Sequence, residues 1–475
     1  MPAEPARPIA APRASARWRA AVDASPVGVL VARFFPQGAL LLSVLTFGSY
    51  VMGLVRDRTF ARTFGAGEAL DAYNAAFAIP EIALGVLVAS GLSAPFIPLF
   101  LGLKEVDEEA AQAFGSTILS LAIVVIGVVT PVLFVIAPWT VDLVAPRFTA
   151  EQRELYTALF RVMLLTPLLF AISDVLGEVL VAERRFLAYA LAPLLYNGGI
   201  VIGTVMLADR LGIYAAAVGA VLGAVLHLAI RVSGIRATGF RVRPRWAIRT
   251  PAIREFGRLM VPKMLSHPID PVTFTALNAL ASSAVGGISA LSFARNFQSV
   301  PVTVIGISFA LAAFPPLATA AASGDRPAFG RILGRNAVLI VGLTTAAAVT
   351  LVVVGHLAIG MLLGGGAFDE DDVTTTTILL AAFSLAIPFE SLTHLLSRAI
   401  FATRNTALQV AASLAGFGVT VVAANVLSAS IGLVGIPLGF TLGMVAKTVL
   451  LCLALVPRIR AIGREFGAEE LVSTT

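Results

Sequence analysis

Charge is scarce in this chain. Only 13% of its 475 residues are Asp, Glu, Lys or Arg, about half of what a soluble globular domain carries. Hydrophobic residues make up 58%, and the mean hydropathy is +0.90. A water-soluble body of this length cannot bury so much apolar side chain, so the bilayer is the natural solvent. There is one cysteine, Cys452, inside an apolar run, which leaves no disulfide framework and no thiolate metal cluster. The four histidines have no metal-ligand spacing, and neither a metal nor another cofactor is expected. No Walker A loop, HExxH, GxSxG or nicotinamide fingerprint is present, which argues against an enzyme and against an ATP-driven pump. A net charge of +6 does not indicate nucleic acid, because the arginines lie between apolar segments and form no aromatic-interleaved basic stripe. Residues 1–35 lack the apolar core and cleavage site of a signal peptide and read as a disordered basic cytoplasmic tail.

What is present is a series of long apolar stretches. A spanning helix needs about 20 mostly apolar residues. Twelve candidates centre on 36–55, 72–102, 113–137, 156–182, 187–207, 212–230, 257–282, 286–318, 333–355, 375–401, 406–426 and 432–456. The second and eighth exceed one straight crossing and hold Pro80, Pro95, Pro98 and Pro301, Pro315, Pro316, which permit bends. Lysine and arginine concentrate in the connections that share a side with the N-terminal tail, whereas the loop "GGGAFDEDD" (Gly364–Asp372) carries acid and no base. By the positive-inside rule both termini are cytoplasmic.

The chain also repeats itself. A shift of 220 superposes Arg184 on Arg404, Gly198 on Gly418, Gly212 on Gly432, and "GAVLG" on "GFTLG" at Gly219 and Gly439. A fainter echo pairs "PFIPL" at Pro95 with "AFPPL" at Ala313. Six helices per copy put both copies the same way up, a parallel repeat typical of transporters. The fold expected is therefore an all-α polytopic membrane protein of about twelve transmembrane helices in two six-helix lobes related by a parallel internal repeat. The expected divisions are an N-terminal lobe over 36–235, a cytoplasmic linker over 236–256, a C-terminal lobe over 257–457 and a cytoplasmic tail over 458–475. The GxxxG pairs read as packing within a lobe. The arginine-rich linker lies along the inner surface, where it also attracts anionic lipid.

Charges within the spans need a partner or a wet cavity, since one at the bilayer centre costs at least ~2.5–3.5 kcal/mol. Lys263, His267 and Asp270 fall on one face of a helix at i, i+4 and i+7. Arg295 lies near the start of the eighth helix, and Arg56, Arg58 and Arg62 cluster after the first. Brought together between two lobes, these bases would make a cationic cavity for an anionic substrate, Arg offering a planar fork to phosphate and Lys a point charge. The competing reading is pairing within the protein, for instance Arg56 with Asp71 or Lys263 with Asp270. Asp270, Glu390 and His394 are candidates for ion coupling. Without a nucleotide-binding domain, energy would come from the membrane potential or a sodium or proton gradient.

"SYVMGLVRDRTFARTFGAGEALDAYNAAFAIPE" (Ser49–Glu81) and "FIPLF" (Phe96–Phe100) resemble the opening of the MurJ/MviN family of lipid II flippases. These belong to the multidrug/oligosaccharidyl-lipid/polysaccharide exporter superfamily. "AERRFLAYALAPLLYN" (Ala182–Asn197) and "SFARNFQSVP" (Ser292–Pro301) are similar to later parts of that family. The resemblance implies two six-helix lobes, a central cationic cavity and flipping of a polyprenyl-pyrophosphate-linked peptidoglycan precursor across a bacterial plasma (inner) membrane; a monomer is expected. Arg56 and Asp57 match the family's cavity pair, and Asp71 its acid on helix 2. Arg56, Arg62, Lys263 and Arg295 would engage the pyrophosphate, with Asp57 and Asp71 orienting the arginines. The chain departs from the family where a basic pair and an acid after the helix 2 proline give way to apolar or small residues within Ile82–Ser90. It departs again where the family's helix 8 arginine aligns with Asn296, one position from Arg295. The alternatives are a related exporter of another lipid-linked oligosaccharide, an ion-coupled drug exporter, and a membrane scaffold that transports nothing.

Overall fold

The computed structural model describes residues 37–463 apart from positions 267 and 404. The expected N-terminal tail, His267 and most of the C-terminal tail lie outside the described residues.

The first half runs through α1 (Gln37–Phe64), α2 (Glu68–Leu84), α3 (Ser90–Val106), α4 (Glu108–Val144), α5 (Ala150–Met163), α6 (Leu165–Ala182), α7 (Phe186–Leu211) and α8 (Tyr214–Ile235). Helix α9 (Pro251–Ser266) leads to the second half: α10 (Ile269–Ala281), α11 (Gly287–Pro301), α12 (Ser308–Ala322), α13 (Arg326–Leu362), α14 (Glu370–Ser384), α15 (Ile387–Ala402), α16 (Ala407–Ile431) and α17 (Gly435–Ala461). Helix starts follow their capping chemistry. Asp107 accepts from the Glu109 amide at 2.8 Å, Thr149 and Gln152 form a reciprocal box, and Asp325 accepts from the Ala328 amide at 2.9 Å. Each side chain satisfies an amide that the helix itself cannot.

The two halves pack alike. In the first, α1 lies on α7, α7 on α8, α8 on α6, α3 and α4 on α6, and α2 on α5. In the second, α10 lies on α16, α16 on α17, α17 on α15, α12 and α13 on α15, and α11 on α14. Even the irregularities recur. A π-helical segment follows α2 at Gly85–Ala89, and another follows α11 at Val302–Ile307. The GxxxG glycines work inside each half: a β-carbon on Gly199 or Gly203 would collide with the backbone of Gly223 or Gly219, so α7 and α8 touch main chain to main chain.

Among the described residues, eight helical stretches are long and apolar enough to cross a bilayer, and α14 with α15, bent by 43°, makes a ninth. One of the eight, Ala407–Ala461, holds two of the expected crossings. The count falls short of twelve at two places. Helix α1 carries Arg56, Asp57, Arg58 and Arg62 in its second half, and the α9–α10 stretch is divided into helices of 16 and 13 residues.

The apolar core is divided in a way that positions the site. At one end a single cluster joins both halves, running from Phe60, Leu70 and Tyr73 to Phe293, Phe368 and Phe440. Toward the other end it splits. One cluster, around Phe96, Phe114 and Leu176, belongs to the first half. Another, around Leu317, Phe329 and Leu395, belongs to the second. Helix α9 packs on α3 and α4, and its Ile253 and Phe256 enter the first-half cluster. The chain thus leaves the first half only at the break between α9 and α10.

Candidate functional site

Among the described residues, the hydrogen bonds between the halves gather at the end where the core is shared. Asp71 in the first turn of α2 is fully buried. Its Oδ1 accepts from the Ser289 amide at 2.7 Å and from the Ser289 hydroxyl at 2.6 Å. Ser289 is in the first turn of α11, so the carboxylate also meets the positive end of that helix. Asp71 and Ser289 are 218 residues apart, the offset that relates Pro95 to Ala313, so equivalent positions of the repeat touch on the axis between the halves. Arg58 Nη1 donates to the Met361 and Leu362 carbonyls at 2.8 and 2.6 Å, and Arg62 Nη2 to the Gly364 carbonyl at 2.8 Å. The Ala367 amide returns a bond to the Arg62 carbonyl at 2.9 Å, and Asp372 accepts from the Ala66 amide at 3.0 Å.

Behind this seal lies a cavity of about 590 Å³, within the usual range for a ligand site. Walls come from α1, α2 and α7 of the first half and α10 and α11 of the second. Arg56 is held there by three bonds to two partners. Its Nε and Nη2 donate to Asp57 Oδ1 at 3.1 and 2.8 Å, and its Nη1 to Asn197 Oδ1 at 3.1 Å. Asp57 Oδ2 accepts from Asn296 Nδ2 of the second half at 2.9 Å. Arg56, Asp57 and Asn296 therefore form a polar bridge across the cavity's sealed end. Glu81 and Asp270 line it as well.

The expected site residues do not all converge. Arg56, Asp57 and Asp270 line the cavity. Arg62 and Asp71 belong to the seal. Arg295 is not part of the wall. It faces the interior of the second half, with Nη1 and Nη2 on Glu390 at 2.8 and 2.7 Å, a bond to Gln298, and the rings of Phe274 and Phe440 at 4.5 and 5.3 Å. The physical reason is register: one residue along a helix is about 100° of rotation, and it is Asn296 that faces the cavity. Glu390 is thereby committed to Arg295 and Gln298, and His394 lies within electrostatic reach of Glu390, Lys447 and Asp270. Lys263 belongs to α9, and its side chain lies outside what is described. The expected excess of positive charge is not found in the described lining, which holds one base, Arg56, and three acids, Asp57, Glu81 and Asp270. Sequence reasoning left Asn197, Asn296 and Ser289 out of the site. Only the alignment of Asn296 with a family arginine pointed to one of them. Among the described residues no group of His, Cys, Asp and Glu is arranged to hold a metal ion.

Two alike helical halves, joined at one end and enclosing a polar cavity, define a multi-pass membrane protein of the two-lobed transporter class. The chain belongs to the lipid II flippase MurJ family, whose sequence model matches residues 60–472. A probable lipid II flippase of Borreliella burgdorferi is 26% identical over 305 residues, covering 64% of this chain and 59% of that relative's length. One from Rhizobium tropici is 25% identical over 396 residues, 79% of this chain and 72% of the relative. A solved lipid II flippase MurJ in an inward closed conformation superposes with a TM-score of 0.75 at 21% identity, over 89% of this chain and 90% of that one. An inward-facing multidrug resistance MATE family transporter of the MOP superfamily gives 0.76 at 14% identity, over 90% and 99%. At these identities the structural likenesses concern the fold.

Proposed function

We propose that this protein is an alternating-access flippase carrying a polyprenyl-pyrophosphate-linked peptidoglycan precursor, lipid II, from the inner to the outer leaflet of a bacterial plasma membrane. The observation that carries the reading is the Arg56–Asp57–Asn296 bridge, which places a guanidinium inside a cavity that both halves seal at one end. A pyrophosphate entering from the open end competes with Asp57 for the Arg56 fork, because both present oxygen pairs that match guanidinium geometry. Capture of Arg56 frees Asp57 to reorient against Asn296 of the other half and so couples binding to the contact between the halves. The two lobes, the first carrying α9 with it and the second beginning at α10, then rock about the shared core, with both termini cytoplasmic and the sealed end outward. Asp270 and His394 are the groups through which sodium, protons or the membrane potential would bias the cycle, Glu390 being held by Arg295 and Gln298. The protein works as a monomer among membrane lipids.

The test is complementation of cells depleted of their own lipid II flippase, with precursor at the outer surface measured directly. Wild type restores outward movement. Arg56→Ala inserts normally and lowers flipping by about tenfold or more, the scale set by one charge-assisted contact. Flipping by Arg56→Ala at the wild-type rate overturns the reading, and so does failure of inserted wild type to flip.

A further inference from the structure

The cavity holds a carboxylate that this phosphate chemistry does not use. Glu81 directly follows Pro80 on α2. Its side chain is exposed to the cavity and to a side recess of about 180 Å³ that reaches Thr166 and Phe170 in α6. Among the described residues no hydrogen bond or salt bridge holds it. Arg56 acts on it through space but is already bonded to Asp57 and Asn197. Asp270, in the first turn of α10, enters the same cavity from the other half with no hydrogen bond or salt bridge among the described residues. Tyr196, where the cavity meets the recess, has a buried hydroxyl without a hydrogen-bond partner. With Arg56 neutralised by Asp57, two acids remain in the described lining without a hydrogen-bond or salt-bridge partner among the described residues. A carboxylate at membrane depth without a partner in the protein takes one from what enters the cavity.

We infer that Glu81 is a specificity-determining residue that receives a monovalent positive group beside the phosphate-binding Arg56, with Asp270 adding negative charge to the same cavity. The group is either an ammonium on the cargo or a free alkali cation admitted with it, and Tyr196 supplies a neutral oxygen at the same place. This deepens the flippase reading and rests on it for the cargo, but the acid wall can be probed separately.

The experiment measures binding to the full chain in detergent. The probes are a lipid-linked precursor with a free peptide amine, the same precursor with that amine acetylated, sodium chloride against choline chloride, and the organic cation tetraphenylphosphonium. The wild type binds the free-amine precursor about tenfold more tightly than the acetylated one, and Glu81→Gln abolishes the difference while still binding both. If sodium instead tightens both precursors equally in wild type and not in Glu81→Gln, the cation is the free ion. If wild type binds neither precursor, the flippase reading fails. The acid wall is then upheld by tetraphenylphosphonium binding that Glu81→Gln loses, and overturned if the variant binds it as wild type does or wild type does not bind it. If wild type binds both precursors alike and sodium changes nothing, or Glu81→Gln matches wild type with every probe, the inference is overturned.

Discussion

The register of two neighbouring residues divides the eighth helical stretch between structure and function. Arg295 is locked by Glu390 and Gln298 against two aromatic rings, and Asn296 reaches Asp57 across the cavity. Breaking one side of such a pair leaves a buried charge without compensation, at a cost of about 3–5 kcal/mol, whereas replacing both with apolar groups of similar size is close to neutral. Arg295→Met alone therefore lowers the thermal unfolding midpoint markedly, and adding Glu390→Leu recovers most of the loss. Equal stability of single mutant and wild type would show that the pair contributes nothing. At this scale the sequence was half legible. The Arg56–Asp57 pair lay in a stretch too charged for its surroundings. Which of 295 and 296 faces the cavity, and that Asp71 reaches Ser289 rather than Arg56, depend on helix rotation and inter-half approach, which composition does not encode.

The loop after α13 acts as an element in its own right. Gly366 has φ of 66° and lies so close to the Arg62 carbonyl that a β-carbon there would collide with it. Gly365, with φ of 105°, rests on the Arg62 guanidinium. Valine at position 366 brings both backbone strain and overlap, so Gly366→Val lifts the loop from α1. Hydrogen exchange read at the Ala367 amide, which donates to the Arg62 carbonyl, then rises by more than tenfold. Unchanged protection would mean that the loop holds by other contacts. The helices themselves were readable, because apolar runs, prolines and the 220-residue echo survive in the sequence. The attachment of α9 to the first half was not, since it is a matter of which neighbour Ile253 and Phe256 find.

At the scale of the whole molecule, the proposed cycle requires the halves to part where they now meet. Cysteines at Asp71→Cys and Ser289→Cys, with Cys452→Ser to remove the native thiol, form a bond across the axis between the halves. Oxidised protein stops transporting, and reduction restores it to the level of the unoxidised double variant. Transport undiminished by a complete cross-link would exclude any cycle that opens this end.

In the proposed cycle, one core at one end and two at the other favour a direction of rest. Turning the molecule over pulls apart the cluster that joins Phe60 to Phe293 and bares its grease, with no ready-made substitute between the far cores. In the orientation proposed, an unloaded carrier waits with its mouth toward the compartment that assembles the precursor. Between turnovers it stands shut against leakage, and loading is what makes the reversal worthwhile.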